Sequence, residues 1–188
     1  GAAAAREKSQ EIIEHALTLV KDDNNSIPLQ LAADEEVLLL NFLDAGGGEL
    51  TDDSGQTFQT EFLSRHARTL YIEVTPATTA SEADAILQLA PSHRAVVVSC
   101  FVRLAAYRGS ISLSDVQQNL LRSLASHEGA FVFALFGTPY LLNFVPELTS
   151  YALAYEFYPG AEAAMVRAIF GEIPFQGRLP VTVGSFPV

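Results

Sequence analysis

Apolar and polar positions along this chain fall into two alternating kinds of block. Short unbroken apolar runs are separated by stretches in which apolar residues recur every three or four positions. The two clearest runs are residues 95–101 (AVVVSCF) and 130–136 (AFVFALF). Neither carries a charge, both are rich in β-branched or aromatic residues, and Gly137 and Pro139 stop the second. Runs of this kind read as strands buried on both faces. Such strands belong mainly to parallel sheets covered by helices on each side. Between them, residues 114–126 place Val116, Leu120, Leu121 and Leu124 on one helical face. Ser114 with Gln117 three residues on matches a capping box that opens this helix. Strand, helix, strand is a βαβ unit with a right-handed crossover. The two strands are expected at the sheet centre.

The same pattern organises the rest. Residues 6–20 repeat apolar positions at Ile12, Ile13, Ala16, Leu17 and Val20, which predicts a helix. The polar cluster KDDNNS at 21–26 breaks it, and Ile27-Pro28-Leu29 is expected to be extended. Strands are predicted at 37–42 (VLLLNF), 70–74 (LYIEV) and 151–155 (YALAY). Helices are predicted at 57–67, at 81–89 with Ser81 and Asp84 as caps, and at 160–170 with Gly171 closing it. Alternating strands and helices give an α/β fold: a three-layer α/β/α sandwich with a mostly parallel, flavodoxin-like sheet. In that winding, chemistry is expected at the carboxyl ends of the strands.

Composition narrows the function. The 188 residues suit one domain, and 49% of them are hydrophobic. A net charge of −11 argues against nucleic acid or an anionic membrane as partner, since both need a basic surface. The lone cysteine, Cys100, lies within a predicted buried strand and reads as core. No apolar stretch is long enough to span a bilayer. The chain starts at Gly1 and runs straight into a helix, as a piece cut from a longer protein would.

Motifs for chemistry are sparse. Gly46-Gly47-Gly48 follows a strand but fits neither the dinucleotide fingerprint nor the P-loop. His15, His66, His93 and His127 are scattered without metal-ligand spacing, so no metal is expected, and all four read as surface or helix-end residues. No nucleophile elbow occurs. The carboxylate clusters sit in loops and at helix starts, with no visible reason for a raised pKa. Arg103, Tyr107 and Arg108 stand apart. They follow the predicted central strand at 95–101, where open α/β sheets bind ligands, and two arginines in an acidic chain suit a carboxylate or an acidic loop.

Several segments together resemble the C-terminal α/β sandwich domain of glycoside hydrolase family 3. They are ALTLVKDD at 16–23 with Ile27-Pro28-Leu29, the helix-opening segment at 109–124 with Leu113 and Gln117, and Phe136-Gly137-Thr138-Pro139-Tyr140. To these add Glu162-Ala163-Ala164, Gly171 and the closing GRLPVT at 177–182, which is the most specific of the set. The resemblance implies that residues 1–188 are one C-terminal sandwich domain, with 1–29 as a lead-in helix and linker from an N-terminal (β/α)₈ barrel. Such a barrel takes about 250 residues. The family's nucleophile belongs to that barrel. In its β-glucosidase branch a glutamate after the third strand serves as acid/base, but residues 102–113 here hold no Asp or Glu. That departure points to the β-N-acetylhexosaminidase-like branch, in bacteria, whose acid/base pair also lies in the barrel. The expected function is therefore a non-catalytic domain that packs beside the barrel and shapes its cleft, with a carbohydrate at the shared cleft. No catalytic residue, no cofactor and no activity are expected of this chain alone. Arg103, Tyr107 and Arg108 are the expected contacts with the barrel or the sugar. The competing reading is a free-standing flavodoxin-like module that binds a small ligand or partner.

Overall fold

The apolar runs become the inner strands of a single sheet. The computed structural model describes residues 2–44, 53–102, 113–180, 182–183 and 186. In chain order its elements are helix α1 (Ala2–Ala16), strand β1 (Thr18–Asp22), strand β2 (Val37–Leu43), helix α2 (Gln56–Arg65), strand β3 (Thr69–Val74) and helix α3 (Ala80–Leu89). There follow strand β4 (Ala95–Val102), helix α4 (Asp115–Leu124), strand β5 (Ala130–Gly137), strand β6 (Ser150–Ala154) and helix α5 (Pro159–Ile169). The six strands lie in the order β1-β6-β5-β4-β2-β3. From β2 to β6 all neighbours are parallel, and β1 runs antiparallel along β6 at one edge. Counted by themselves the five parallel strands read 2-1-3-4-5, the flavodoxin-like order.

β4 and β5 take the two middle places, in register from Ala95↔Ala130 to Val102↔Gly137. All of β4 is buried. One face of the sheet, with Leu40, Val98, Cys100 and Phe133, packs under α3 and α4 through Ile86, Leu120, Leu121 and Leu124. The other, with Leu39, Val97 and Phe101, packs under α2 and α5 through Phe58, Phe62, Met165 and Ile169. This second face is aromatic: Phe101 stacks on Phe136 at 4.6 Å, and Phe58 meets Phe136 edge-on at 5.9 Å. Two apolar faces, each covered by helices, make the three-layer sandwich.

Two local expectations are corrected, and a third is narrowed. The helix predicted over 6–20 ends at Ala16, and Thr18–Asp22 forms β1. Thr18 and Val20 are β-branched, and the edge of β6 offers its backbone as a partner; helical spacing cannot report a partner more than 100 residues away. The capping box of α3 is Thr79 with Glu82, not Ser81 with Asp84. Glu82 Oε2 reaches back to accept the Thr79 N–H at 2.8 Å. His66 and His93 do lie at helix ends, but they are buried rather than on the surface. Each donates a ring N–H to a main-chain carbonyl, His66 to Glu35 at 2.8 Å and His93 to Leu89 at 2.9 Å. Satisfied in this way, an imidazole is tolerated in the interior.

Candidate functional site

In a sheet of this order the strand sequence reverses between β2 and β4, and the crevice at their carboxyl ends is the usual ligand site. Asn41 of β2 stands there, level with Ser99 of β4 on one side and Glu73 of β3 on the other. Its buried side chain accepts the Ser99 hydroxyl at 2.8 Å and donates to the Ser54 carbonyl at 3.1 Å. Tyr71 donates to Glu73 at 3.1 Å. Burial, with the Glu73 carboxylate beside it, pushes the Tyr71 phenol up to about 12. Gly55 closes over this group with φ +88°, and a Cβ there would fall 2.5 Å from the Asn41 amide. Only glycine lets the chain turn into α2 so close to Asn41.

Glu162 reaches the same crevice from α5, which covers the sheet face that carries Asn41. It projects from the first turn of α5 and is buried. Its Oε2 accepts the Phe58 N–H at 2.9 Å and its Oε1 accepts the Gly55 N–H at 3.4 Å. Those amides open α2, which has no side-chain cap of its own. Burial raises the Glu162 pKa, and the backbone donors pull it partly back. A helix start after the first parallel strand is where flavodoxin-like folds hold phosphate. Here the chain's own carboxylate occupies it.

Gln117 braces the same edge from α4. Its amide donates to the Leu43 carbonyl at 2.8 Å and to the Val74 carbonyl at 3.0 Å. The predicted capping box with Ser114 is formed.

These groups do not make a catalytic set. The Ser99 hydroxyl is tied to an amide, which is no general base. The Cys100 thiol is fully buried, and burial, with Asp44 nearby, lifts its pKa well above the ordinary value. Among the described residues no three His, Cys, Asp or Glu side chains come together as a metal site. A groove of about 510 Å³ lies at the opposite, amino end of β4 and β5, lined in part by His93, Arg94 and His127. The Nε2 of His127 is buried without a partner, but it faces Gly129, whose Cβ would fall 2.5 Å away.

Arg103, Tyr107 and Arg108 lie outside the described residues, as does the glycine run at 46–48. Glu162 is the residue whose role sequence reasoning missed, since it was read only as part of the closing signature. Its signal was available: at spacings of three, four and seven it shares a face with Met165, Val166 and Ile169, all buried. A carboxylate on an apolar helical face needs a buried partner.

The model of the glycosyl hydrolase family 3 C-terminal domain matches residues 17–185. No curated protein matches the chain. A fungal multi-domain GH3 β-N-acetylglucosaminidase superposes with a TM-score of 0.81 at 23% identity, over 100% of this chain and 20% of that one. A family 3 β-N-acetylglucosaminidase from Paenibacillus sp. str. FPU-7 gives 0.73 at 22%, over 93% and 32%. A β-glucosidase from Listeria innocua gives 0.64 at 14%, over 90% and 26%. The chain thus spans a third or less of the length of these structural relatives.

Proposed function

The chain belongs to the glycosyl hydrolase family 3 C-terminal domains, and from that premise we propose that it is the non-catalytic domain of a larger glycoside hydrolase, packing beside the catalytic barrel of the same parent chain and shaping its cleft. The observation that carries this reading is the filled crevice. At the switch point of the sheet Ser99 donates to Asn41, Gln117 donates to the Leu43 and Val74 carbonyls, and Glu162 occupies the start of α2 in cis. A module built to hold a phosphate or flavin keeps those donors free. What this edge offers outward is side-chain surface, including exposed Tyr140 just beyond β5 and exposed Tyr158 just before α5. Arg103, Tyr107 and Arg108, in the segment that follows β4, are proposed to reach the barrel or the sugar. The absence of any Asp or Glu in residues 102–113 supports the branch whose catalytic groups all lie in the barrel. β-Linked N-acetylhexosaminides are accordingly the proposed substrate class; two of the structural relatives are β-N-acetylglucosaminidases by name.

The purified chain is expected to leave aryl β-N-acetylglucosaminide and aryl β-glucoside untouched, and the first to be cleaved once the parental barrel is joined to it. Turnover that co-purifies with the chain alone would overturn the proposal. Saturable thermal stabilisation by a nucleotide or flavin would favour the ligand-binding alternative.

A further inference from the structure

Resting on the reading above, we infer that Gln117 is a positioning residue: it fixes the carboxyl edge that this domain presents to its catalytic partner. Its side-chain amide makes three bonds to three different elements. Nε2 donates to the carbonyls of Leu43 and Val74, which are the last residues of β2 and β3. Oε1 accepts the Ser114 N–H at 2.9 Å, at the start of α4. The orientation is set by chemistry, because a reversed amide would press Oε1 against two carbonyl oxygens. The residue is fully buried.

Leu43 and Val74 end β2 and β3 at this edge, and Ser114 opens α4. One amide therefore sets the spacing of three backbone ends. Helix capping does not explain this. The capping box needs only the Ser114 hydroxyl on the Gln117 N–H, at 3.2 Å, and one side-chain oxygen on the Ser114 N–H. Glutamate serves that box as well as glutamine does. Only glutamine also supplies the two donor hydrogens that the strand ends take. Gln117 touches no substrate in this reading. It acts through the three backbone ends it joins.

The test uses the parent enzyme with Gln117→Glu, which keeps the box and loses both donations, and Gln117→Leu, which is neutral and of similar size. Leu124→Ala, at the far end of the same helix, is the control for lost stability alone. Kinetics are measured with aryl β-N-acetylglucosaminide well below each melting temperature. KM is expected to rise roughly tenfold in both Gln117 variants, about 1.4 kcal/mol of lost binding, with kcat held within about threefold. Leu124→Ala is expected to melt earlier with KM unchanged. If Gln117→Glu does not fold, Gln117→Leu carries the test. An unchanged KM in Gln117→Leu, or an equal rise in Leu124→Ala, overturns the inference. Deleting the whole domain separates the two levels. If deletion leaves KM and kcat as they were, the proposed function itself fails. If deletion raises KM and Gln117→Leu does not, only the positioning role fails.

Discussion

Replacing Glu162 with alanine tests whether α2 depends on a carboxylate borrowed from α5. In the native chain the Phe58 amide is bonded at 2.9 Å and the Gly55 amide at 3.4 Å. Alanine leaves these donors, and the Thr57 N–H that also supports the carboxylate, without their acceptor. A buried donor without a partner costs about 1–3 kcal/mol, and the long Gly55 bond belongs at the low end. Removing a negative charge from a helix N-terminus costs a further ~0.3–1 kcal/mol. Desolvation of the carboxylate opposes these terms, which is why its pKa is raised. The expected loss is about 2–4 kcal/mol, against a total stability of ~5–15 kcal/mol for a domain. The variant should therefore fold and unfold early. Glu162→Gln keeps one acceptor and turns its NH₂ toward the other donor, so it should lose about 1 kcal/mol. The sequence has no tryptophan, so urea unfolding followed by far-UV circular dichroism is the assay. An alanine variant within about 0.5 kcal/mol of wild type, below the smallest penalty for an orphaned donor, would refute the reasoning. The pH dependence has a definite sign. The folded-state pKa lies above the ordinary ~4.3, so the folded protein holds this proton more tightly than the unfolded chain. That contribution is present in full below about pH 4 and is lost as pH rises through the raised folded value. The stability gap between wild type and Glu162→Gln should narrow from about pH 4 to pH 7; a widening gap would reverse the assignment.

Three further outcomes follow from the same geometry. Formate should stabilise Glu162→Ala in a thermal shift and leave wild type unmoved, because a small anion restores the missing acceptor at the start of α2; an equal shift in both would count against a site at that helix. Phe133→Asp should abolish folding, since the side chain is buried at the sheet centre and an unpaired carboxylate there costs several kcal/mol; a soluble, cooperatively melting variant would place β5 at an edge. Cys100 should react with a thiol reagent only as fast as the domain opens, because its thiol is buried and kept protonated; rapid labelling of the folded chain would contradict its place under α4.

The parts of the fold that were legible in the sequence are those written in local pattern. β4 and β5 announced themselves as uncharged runs, and the centre of the sheet is where they lie. The Ser114–Gln117 box was readable because both partners sit within one turn. Gly171, with φ +76°, closes α5 as its position after the last apolar residue implied. What escaped needed a partner distant in sequence. β1 looked helical because Ala16, Leu17 and Val20 continue a helical spacing, and only the open edge of β6 makes Thr18–Asp22 a strand. The crevice escaped for the same reason. Asn41 and Ser99 are 58 residues apart, and Phe58 and Glu162 are 104 apart. Each looks unremarkable alone: an asparagine inside a strand, a serine beside a cysteine, a glutamate in an alanine-rich turn.

The filled crevice also bears on why this topology, so often a binding fold, would serve as a packing domain. An anion entering at the start of α2 has to displace Glu162 from the Phe58 and Gly55 amides. Breaking that contact costs about 2–4 kcal/mol by the reasoning given for Glu162→Ala. At ~1.4 kcal/mol per factor of ten, a ligand there would bind roughly 30- to 1,000-fold more weakly than at an open helix start. The displaced carboxylate would also remain close by and repel it. The interactions that elsewhere hold a phosphate are spent here on joining α5 to α2 and, through Asn41, both to β2 and β4. These bonds tie the start of α2, the start of α5 and the strands β2 and β4 to one another. Groups tied in this way are held at fixed spacing, which suits contact with a neighbouring domain better than closing around a small molecule.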